Sequence, residues 1–272
     1  MQMHTDTGRS AVQARLAELA NQLLPFTHEC GIRALVAGVS GVGAGNPNLA
    51  EMLSKSFNVP RESVSVVSDI EIAYHAAFSP GEGYLIYAGT GSIAAYIDGA
   101  GALHRAGGRG VQLDDAGGGY WIAREALRRI WRREDTAPNA WRESPLARSL
   151  FEKVGGDSSI YAARFLAEHD RGEVGLLAIE VAQCADIDSM AAEILTDAGT
   201  ELVRLANAML HRYGNRKIAV GGRVAYLHPS IEAAMRRSLP KDITMKFQTL
   251  DAHHAAARLA LGRFAHESMA GA

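Results

Sequence analysis

Tyr84-Leu85-Ile86-Tyr87-Ala88-Gly89-Thr90-Gly91-Ser92-Ile93-Ala94-Ala95-Tyr96-Ile97-Asp98-Gly99-Ala100-Gly101-Ala102-Leu103-His104-Arg105 is the stretch on which the fold turns. It holds three short apolar runs, Tyr84–Ala88, Ser92–Ile97 and Ala102–Arg105. Gly89-Thr90-Gly91 and Asp98-Gly99-Ala100-Gly101 separate them. Consecutive β-type runs joined by tight glycine turns form an antiparallel meander.

On the C-terminal side the grammar becomes helical, from Tyr120 to about Arg212. Breaks fall at Pro138, Pro145, Gly155-Gly156 and Gly172. Thr196 to His211 reads as the last and longest helix. A strand, Lys217 to Val220, then runs into Gly221-Gly222. Pro229 to Leu239 reads as a helix, Thr244 to Leu250 as a strand and His253 to Phe264 as a closing amphipathic helix.

On the N-terminal side the order is helix (Ala11–Leu24, Ser10 as N-cap and Pro25 as terminator), strand (Ile32–Ala37), helix (Asn48–Phe57), strand (Ser63–Asp69) and helix (Glu71–Phe78). Strands alternating with helices on short links predict a parallel α/β arrangement. The portion before Gly83 has the element order of the rear half of the later unit, without a meander. Two parallel strands alone would leave one side uncovered and edges open to pairing. Association through this half, as a homodimer, or further residues upstream of Met1 are the expectations.

Composition sets the outer limits. The chain has 272 residues, 28 Lys and Arg against 30 Asp and Glu, and a net charge of −2. With 47% hydrophobic and 21% charged residues it is an ordinary globular sequence, not a disordered, collagenous or coiled-coil one. Near-zero net charge argues against a nucleic-acid partner. No apolar run reaches the roughly 18 residues of a membrane helix, so no membrane is expected. Met1 to Ser10 lacks a signal-peptide pattern, which predicts a cytoplasmic protein. Cys30 and Cys184 cannot build a disulfide framework or a structural zinc site, and read as buried small hydrophobes.

Several segments carry chemistry. The N–H groups of Gly89-Thr90-Gly91, with the Thr90 and Ser92 hydroxyls, suit a phosphate; an ordinary hairpin turn is the alternative. Asp69 ends a strand, where open sheets place ligands, and could take a proton from an attacking hydroxyl. Taken alone, a cap for the helix that follows is the favoured reading. From Gly107 to Gly119, six of thirteen residues are glycine, Asp114 and Asp115 are adjacent, and a helix begins at Tyr120. Such a loop suits sugar hydroxyls or an anion. Gly221-Gly222 could admit a base or ribose against bare backbone, or be a tight link. Arg124, Arg128, Arg129, Arg132 and Arg133 read as one solvated helix face. His253-His254 has no ligand partner at metal spacing and reads as helix-start packing.

Taken together, Gly89-Thr90-Gly91-Ser92, then His104-Arg105-Ala106-Gly107-Gly108-Arg109-Gly110, Asp115 and Gly119-Tyr120-Trp121-Ile122-Ala123-Arg124-Glu125-Ala126-Leu127, resemble the N-acetylglucosamine kinase branch of the BadF/BadG/BcrA/BcrD ATPase family. That family lies within the sugar kinase–actin–Hsp70 superfamily, and the resemblance covers Gly31 to about Leu261. It implies an α/β fold of two ribonuclease H-like (actin-like ATPase) lobes. The first, 1–80, would lack its N-terminal β-meander. The second, 81–272, would be complete, with a helical insertion at about 120–212.

The resemblance also implies roles. Asp69 is the catalytic base. Gly89, Thr90 and Gly91 hold phosphate, and Ser92, Gly108, Arg109, Gly110 and Asp115 contact the sugar. Gly221 and Gly222 lie on the adenosine side, and Ala198-Gly199 opens the helix beside the nucleotide. The implied reaction is in-line transfer of the γ-phosphoryl group of ATP, with Mg²⁺, to a hydroxyl of N-acetylglucosamine or a related amino sugar, in a cleft between lobes. No protein metal ligand is assigned.

There are departures. No Asp-Gly-Gly occurs in the chain, so the family's first phosphate loop is missing with its strands, a deficit of at least ~25 residues by typical strand length. Arg109 stands where an aromatic is usual, Asp115-Ala116-Gly117-Gly118 where Asp-Glu-Gly-Ser is usual, and His254-Ala255 where Gly-Ala is usual. A non-catalytic sugar- or nucleotide-binding protein is therefore the alternative. An activator of 2-hydroxyacyl-CoA dehydratases ranks last, because no Cys occurs in the glycine-rich segment before the Tyr120 helix to ligate an iron–sulfur cluster.

Overall fold

The computed structural model describes residues 6–27, 31–40 and 47–270. In chain order its elements begin with α1 (Asp6–Thr27), β1 (Leu35–Val39), α2 (Pro47–Phe57), β2 (Val64–Ser68), α3 (Asp69–Ala77), β3 (Gly83–Ala88), β4 (Ser92–Ile97) and β5 (Leu103–Gly107). There follow α4 (Gly119–Thr136), α5 (Pro145–Val154), α6 (Ser159–Glu168), α7 (Arg171–Cys184), α8 (Ser189–Tyr213), β6 (Lys217–Gly221), α9 (Pro229–Ser238), β7 (Met245–Phe247) and α10 (Ala252–Ala270). By contacts the chain forms two compact units, one of residues 1–76 with 251–272 and one of residues 77–250.

In the first unit β1 and β2 pair in parallel, from Leu35 opposite Val64 to Val39 opposite Ser68. Side chains alternate across a strand, so each face has its own cover. On one face Val64 and Val66, with Leu35, Ala37 and Val39, pack against Leu49, Ala50 and Leu53 of α2 and Leu16 of α1. On the other, Val36 and Val67 meet Ile72 and Ala76 of α3 and Ala252, Ala255 and Leu259 of α10. The sheet is thus covered on both faces, contrary to the sequence expectation. The closing helix supplies the second cover, and so joins the first unit rather than the 81–272 segment. Its contact is made possible by small residues: Ala255 is 1% exposed. Both strands remain edges, since among the described residues each pairs only with the other.

Local boundaries moved with tertiary context. Pro25 lies inside the last turn of α1 instead of ending it. A proline near a C-terminus forfeits a single N–H bond, which α1 outlasts by two residues. The α3 helix starts at Asp69 directly from β2. The glycine run beyond Ser40 and Cys30 lie outside the described residues; Cys184 is buried as a free thiol.

The second unit is built on a five-stranded sheet of order β5-β4-β3-β6-β7. The β3–β4 and β4–β5 pairs are antiparallel, the expected meander. The β6 strand joins β3 in parallel, Tyr84 opposite Ile218 and Tyr87 opposite Gly221. Tyr84, Leu85 and Ile86 are fully buried at the sheet's centre. The β7 strand is shorter than the predicted Thr244–Leu250, yet the N–H of Ile218 donates to the Thr244 carbonyl and that of Gln248 to Val220, extending the pairing on both sides.

The helical stretch resolves into α4 to α8. One break was unforeseen. Residues 185–188 separate α7 from α8, and Asp188 caps α8 by accepting from Met190 and Ala191 N–H. The buried Ser144 hydroxyl donates to the same carboxylate at 2.6 Å. The α8 helix packs across β3, β4 and β5 and against α9. Ala198 and Gly199 therefore sit in mid-helix and do not open it. A β-carbon on Gly199 would overlap the carbonyl of Ile231, so glycine is kept where helix propensity alone would favour alanine.

Candidate functional site

The carboxyl ends of β3 and β6 carry the two glycine turns side by side. Gly222 has φ +92°, and a β-carbon there would overlap the Ala88 carbonyl at the end of β3. This is the edge on which open α/β sheets hold ligands. The turn 89–91 is braced internally, Gly89 N–H donating to the Gly91 carbonyl at 2.9 Å. It is also fastened to α4. Gly119 and Tyr120 N–H donate to the carbonyls of Gly89 and Thr90 at 2.9 and 3.0 Å. Two of the donors that begin α4 are thus consumed by protein, which removes them from any anion.

The loop 107–119 closes over this turn. Asp115 is 6% exposed. Its Oδ1 accepts from Gly110 N–H at 3.1 Å, and its other oxygen lies where a β-carbon of Gly91 would be. Burial pushes the Asp115 carboxyl above the usual carboxylate range, opposed by the Gly110 N–H and by Arg171. Ser92 is 3% exposed and donates its hydroxyl to the Ala116 carbonyl at 2.6 Å. It ties the loop to β4 with the group that was expected to meet ligand. Gly118 lies so close to Gly91 and the Thr90 carbonyl that any side chain would overlap them. Close packing thus accounts for several of the loop's glycines.

Beside Asp115 a pocket opens, a cavity of about 90 Å³ lined by Val111, Asp114, Asp115, Tyr120, Trp121 and Arg124 among others. Asp114 is paired with Arg204 at 3.1 Å. Gly108, Arg109 and Gly110 are not among the lining residues, and Gly108 and Arg109 are exposed. Tyr120, Trp121 and Arg124 were not singled out from sequence as site residues. Their signal was helical spacing, one turn of α4 immediately after the glycine loop. Arg128 and Arg129 are committed elsewhere, to Glu125 and to Asp197.

In the first unit, Asp69 is exposed as the first residue of α3. One oxygen accepts the N–H of Ile70 at 2.8 Å, and the other accepts the Ser40 hydroxyl. It therefore does not cap α3 from outside. Gly221 and Ala198 are buried. Gly221 presses on Leu250, where a β-carbon would come within 2.5 Å of the side chain. Among the described residues no group of three His, Cys, Asp or Glu is placed to hold a metal ion. None of their helices is long and apolar enough to cross a membrane.

No family model matches the chain, and no curated protein matches it in sequence. Solved structures do. A candidate N-acetylglucosamine kinase from Chromobacterium violaceum is 21% identical with a TM-score of 0.67, over 91% of this chain and 87% of that one. A second, from Porphyromonas gingivalis, is 18% identical with a TM-score of 0.61, over 89% and 84%. A ROK-family glucokinase from Streptomyces griseus, solved with glucose and AMPPNP, is 15% identical with a TM-score of 0.57, over 92% and 88%. The chain has the actin-like ATPase, ribonuclease H-like, fold of these sugar kinases.

Proposed function

We propose that this chain is an ATP-dependent sugar kinase of the N-acetylglucosamine kinase-like branch of the BadF/BadG/BcrA/BcrD family, acting on an amino sugar in the cytoplasm. The observation that carries the reading is the second unit's carboxyl edge, where two glycine turns on neighbouring parallel strands adjoin a pocket with one buried carboxylate. The division into lobes follows the two compact units, with the helical segment 119–213 inserted in the second.

Each unit contributes its own chemistry. The first supplies Asp69, whose exposed carboxylate accepts the proton of the attacking sugar hydroxyl, with Ser40 holding its orientation. The second supplies the turns Gly89-Thr90-Gly91 and Gly221-Gly222 for ATP, with Thr90 as a hydroxyl donor. Asp115 accepts sugar hydroxyls, and the loop around Gly108, Arg109 and Gly110 closes on the sugar. Ser92 and Ala198 act behind these groups, by packing. ATP brings the transferable phosphoryl group. Magnesium arriving with it would keep several waters and ask for few protein ligands.

A coupled ATP-consumption assay across amino sugars and hexoses tests the reading. Sugar-dependent turnover supports it; no turnover with any sugar defeats it. Binding of sugar or nucleotide without turnover supports the second reading, a non-catalytic binding protein. That reading is favoured by the engagement of the Ser92 hydroxyl and the leading α4 N–H groups within the protein.

Homodimer formation rests on the first unit. Among the described residues β1 pairs with β2 alone, and Leu19, Leu23 and Phe26, spaced along one stripe of α1, are 44%, 43% and 84% exposed.

A further inference from the structure

Arg124 lines the pocket beside Asp115 and is half-buried there. Its neighbours along α4 are neutralised by carboxylates: Arg128 by Glu125, and Arg129 by Glu125 and Asp197. Among the described residues, no carboxylate lies within ion-pair distance of Arg124. The pocket's own acids do not balance it. Asp114 is taken by Arg204 at 3.1 Å, and Asp115 is engaged by the Gly110 N–H and lies in the field of Arg171. Arg204 is held by Glu201 as well as by Asp114, so among the described residues the cavity-lining guanidinium without a carboxylate partner is Arg124.

Resting on the sugar-kinase reading, we propose that the pocket takes a sugar bearing an anionic substituent and that Arg124 binds that substituent. A guanidinium presents a planar fork of donors that matches carboxylate or phosphate oxygens in pairs. Tyr120 and Trp121, in the same turn of α4, supply apolar ring faces for the C–H side of a pyranose, and Asp115 accepts from its hydroxyls. One helical turn therefore presents a stacking surface and a charge clamp, and the two acids that share the pocket are already engaged, Asp114 by Arg204 and Asp115 by the Gly110 N–H.

Calorimetry on the full chain tests this with N-acetylglucosamine, glucuronic acid, glucosamine 6-phosphate and inorganic phosphate as probes. At least one acidic sugar should bind tenfold or more tightly than N-acetylglucosamine, and the preference should shrink as salt is raised. Which acidic sugar wins distinguishes a carboxylate from a phosphate substituent. Arg124→Gln should erase the preference with an unchanged melting temperature. Arg132→Gln, an exposed arginine on the same helix, should retain it.

Neutral sugar bound as tightly as acidic sugar, or a preference that survives Arg124→Gln, overturns the inference and leaves the kinase reading standing. Inorganic phosphate bound as tightly as the acidic sugars also overturns it, marking an anion site that ignores the sugar. No binding by any sugar defeats both.

Discussion

The carboxylate of Asp115 occupies the space that a β-carbon on Gly91 would need. The middle of the glycine loop and the turn after β3 are therefore packed as one piece, and Gly91 cannot gain a side chain without moving Asp115. Gly91→Ala should displace Asp115 and destabilise the second unit by about 1–3 kcal/mol, the usual cost of overpacking. Chemical denaturation measures it; an unchanged midpoint would show the two segments to be independent.

Asp115 also sets a pH dependence. Burial raises its carboxyl in the folded state above the ordinary value of 3.8. A raised value means that its favourable contribution is present below the unfolded-state value and lost as pH rises through the folded-state value. Asp115→Asn keeps the Oδ1 acceptor for Gly110 but cannot ionise. The melting temperature of the variant relative to wild type should therefore climb with pH across the acid range. A difference that stays flat contradicts the assignment.

Asp69→Asn removes the proposed base and leaves the fold of the first unit alone. Turnover should fall by about 100-fold or more, the usual scale of general-base catalysis, with the melting temperature unchanged. Ser40→Ala should lower turnover less, through loss of orientation. Should Asp69→Asn retain the wild-type rate, the carboxylate has only a local structural role.

Ser92→Ala leaves the Ala116 carbonyl without its hydroxyl donor in a buried setting. The loss should be about 1–3 kcal/mol in urea denaturation. Because the hydroxyl faces the loop, sugar affinity should follow only to the extent that the loop loosens. Gly199→Ala is a sharper case. Helix propensity predicts a gain of about 1 kcal/mol, and the Ile231 carbonyl in the way predicts a net loss. A more stable Gly199→Ala protein would mean that α8 and α9 yield to each other.

The double substitution Leu23→Ser with Phe26→Ser should convert a dimer into a monomer in light scattering. A monomeric wild type would sink the proposed association.

Much of this protein was legible before any coordinates. The three runs between Gly83 and Gly107 announced a meander, because glycine turns between β-type runs leave the backbone few other routes. Asp69, Asp115 and the turns at Gly89 and Gly221 could be picked out because each sits at the end of a strand or within a glycine loop. Such junctions are local features. Arg124 was hidden among five arginines of one helix, since nothing in the spacing told which of them had an acid opposite. Asp197, which claims Arg129, arrives from α8.

By itself, then, the sequence determined the order of elements, the meander and the positions of the turns. Backbone dihedrals and hydrogen bonding between near neighbours are enough to specify them. Only the tertiary structure decided which polar groups are free. Ser92 is spent on Ala116, and the first N–H groups of α4 on Gly89 and Thr90. It also decided that α10 covers the first sheet, through Ala255 against Val67 and Ile72. These outcomes depend on close approach between segments far apart in the chain. Such contacts are set by which surfaces fit, and no local pattern records them.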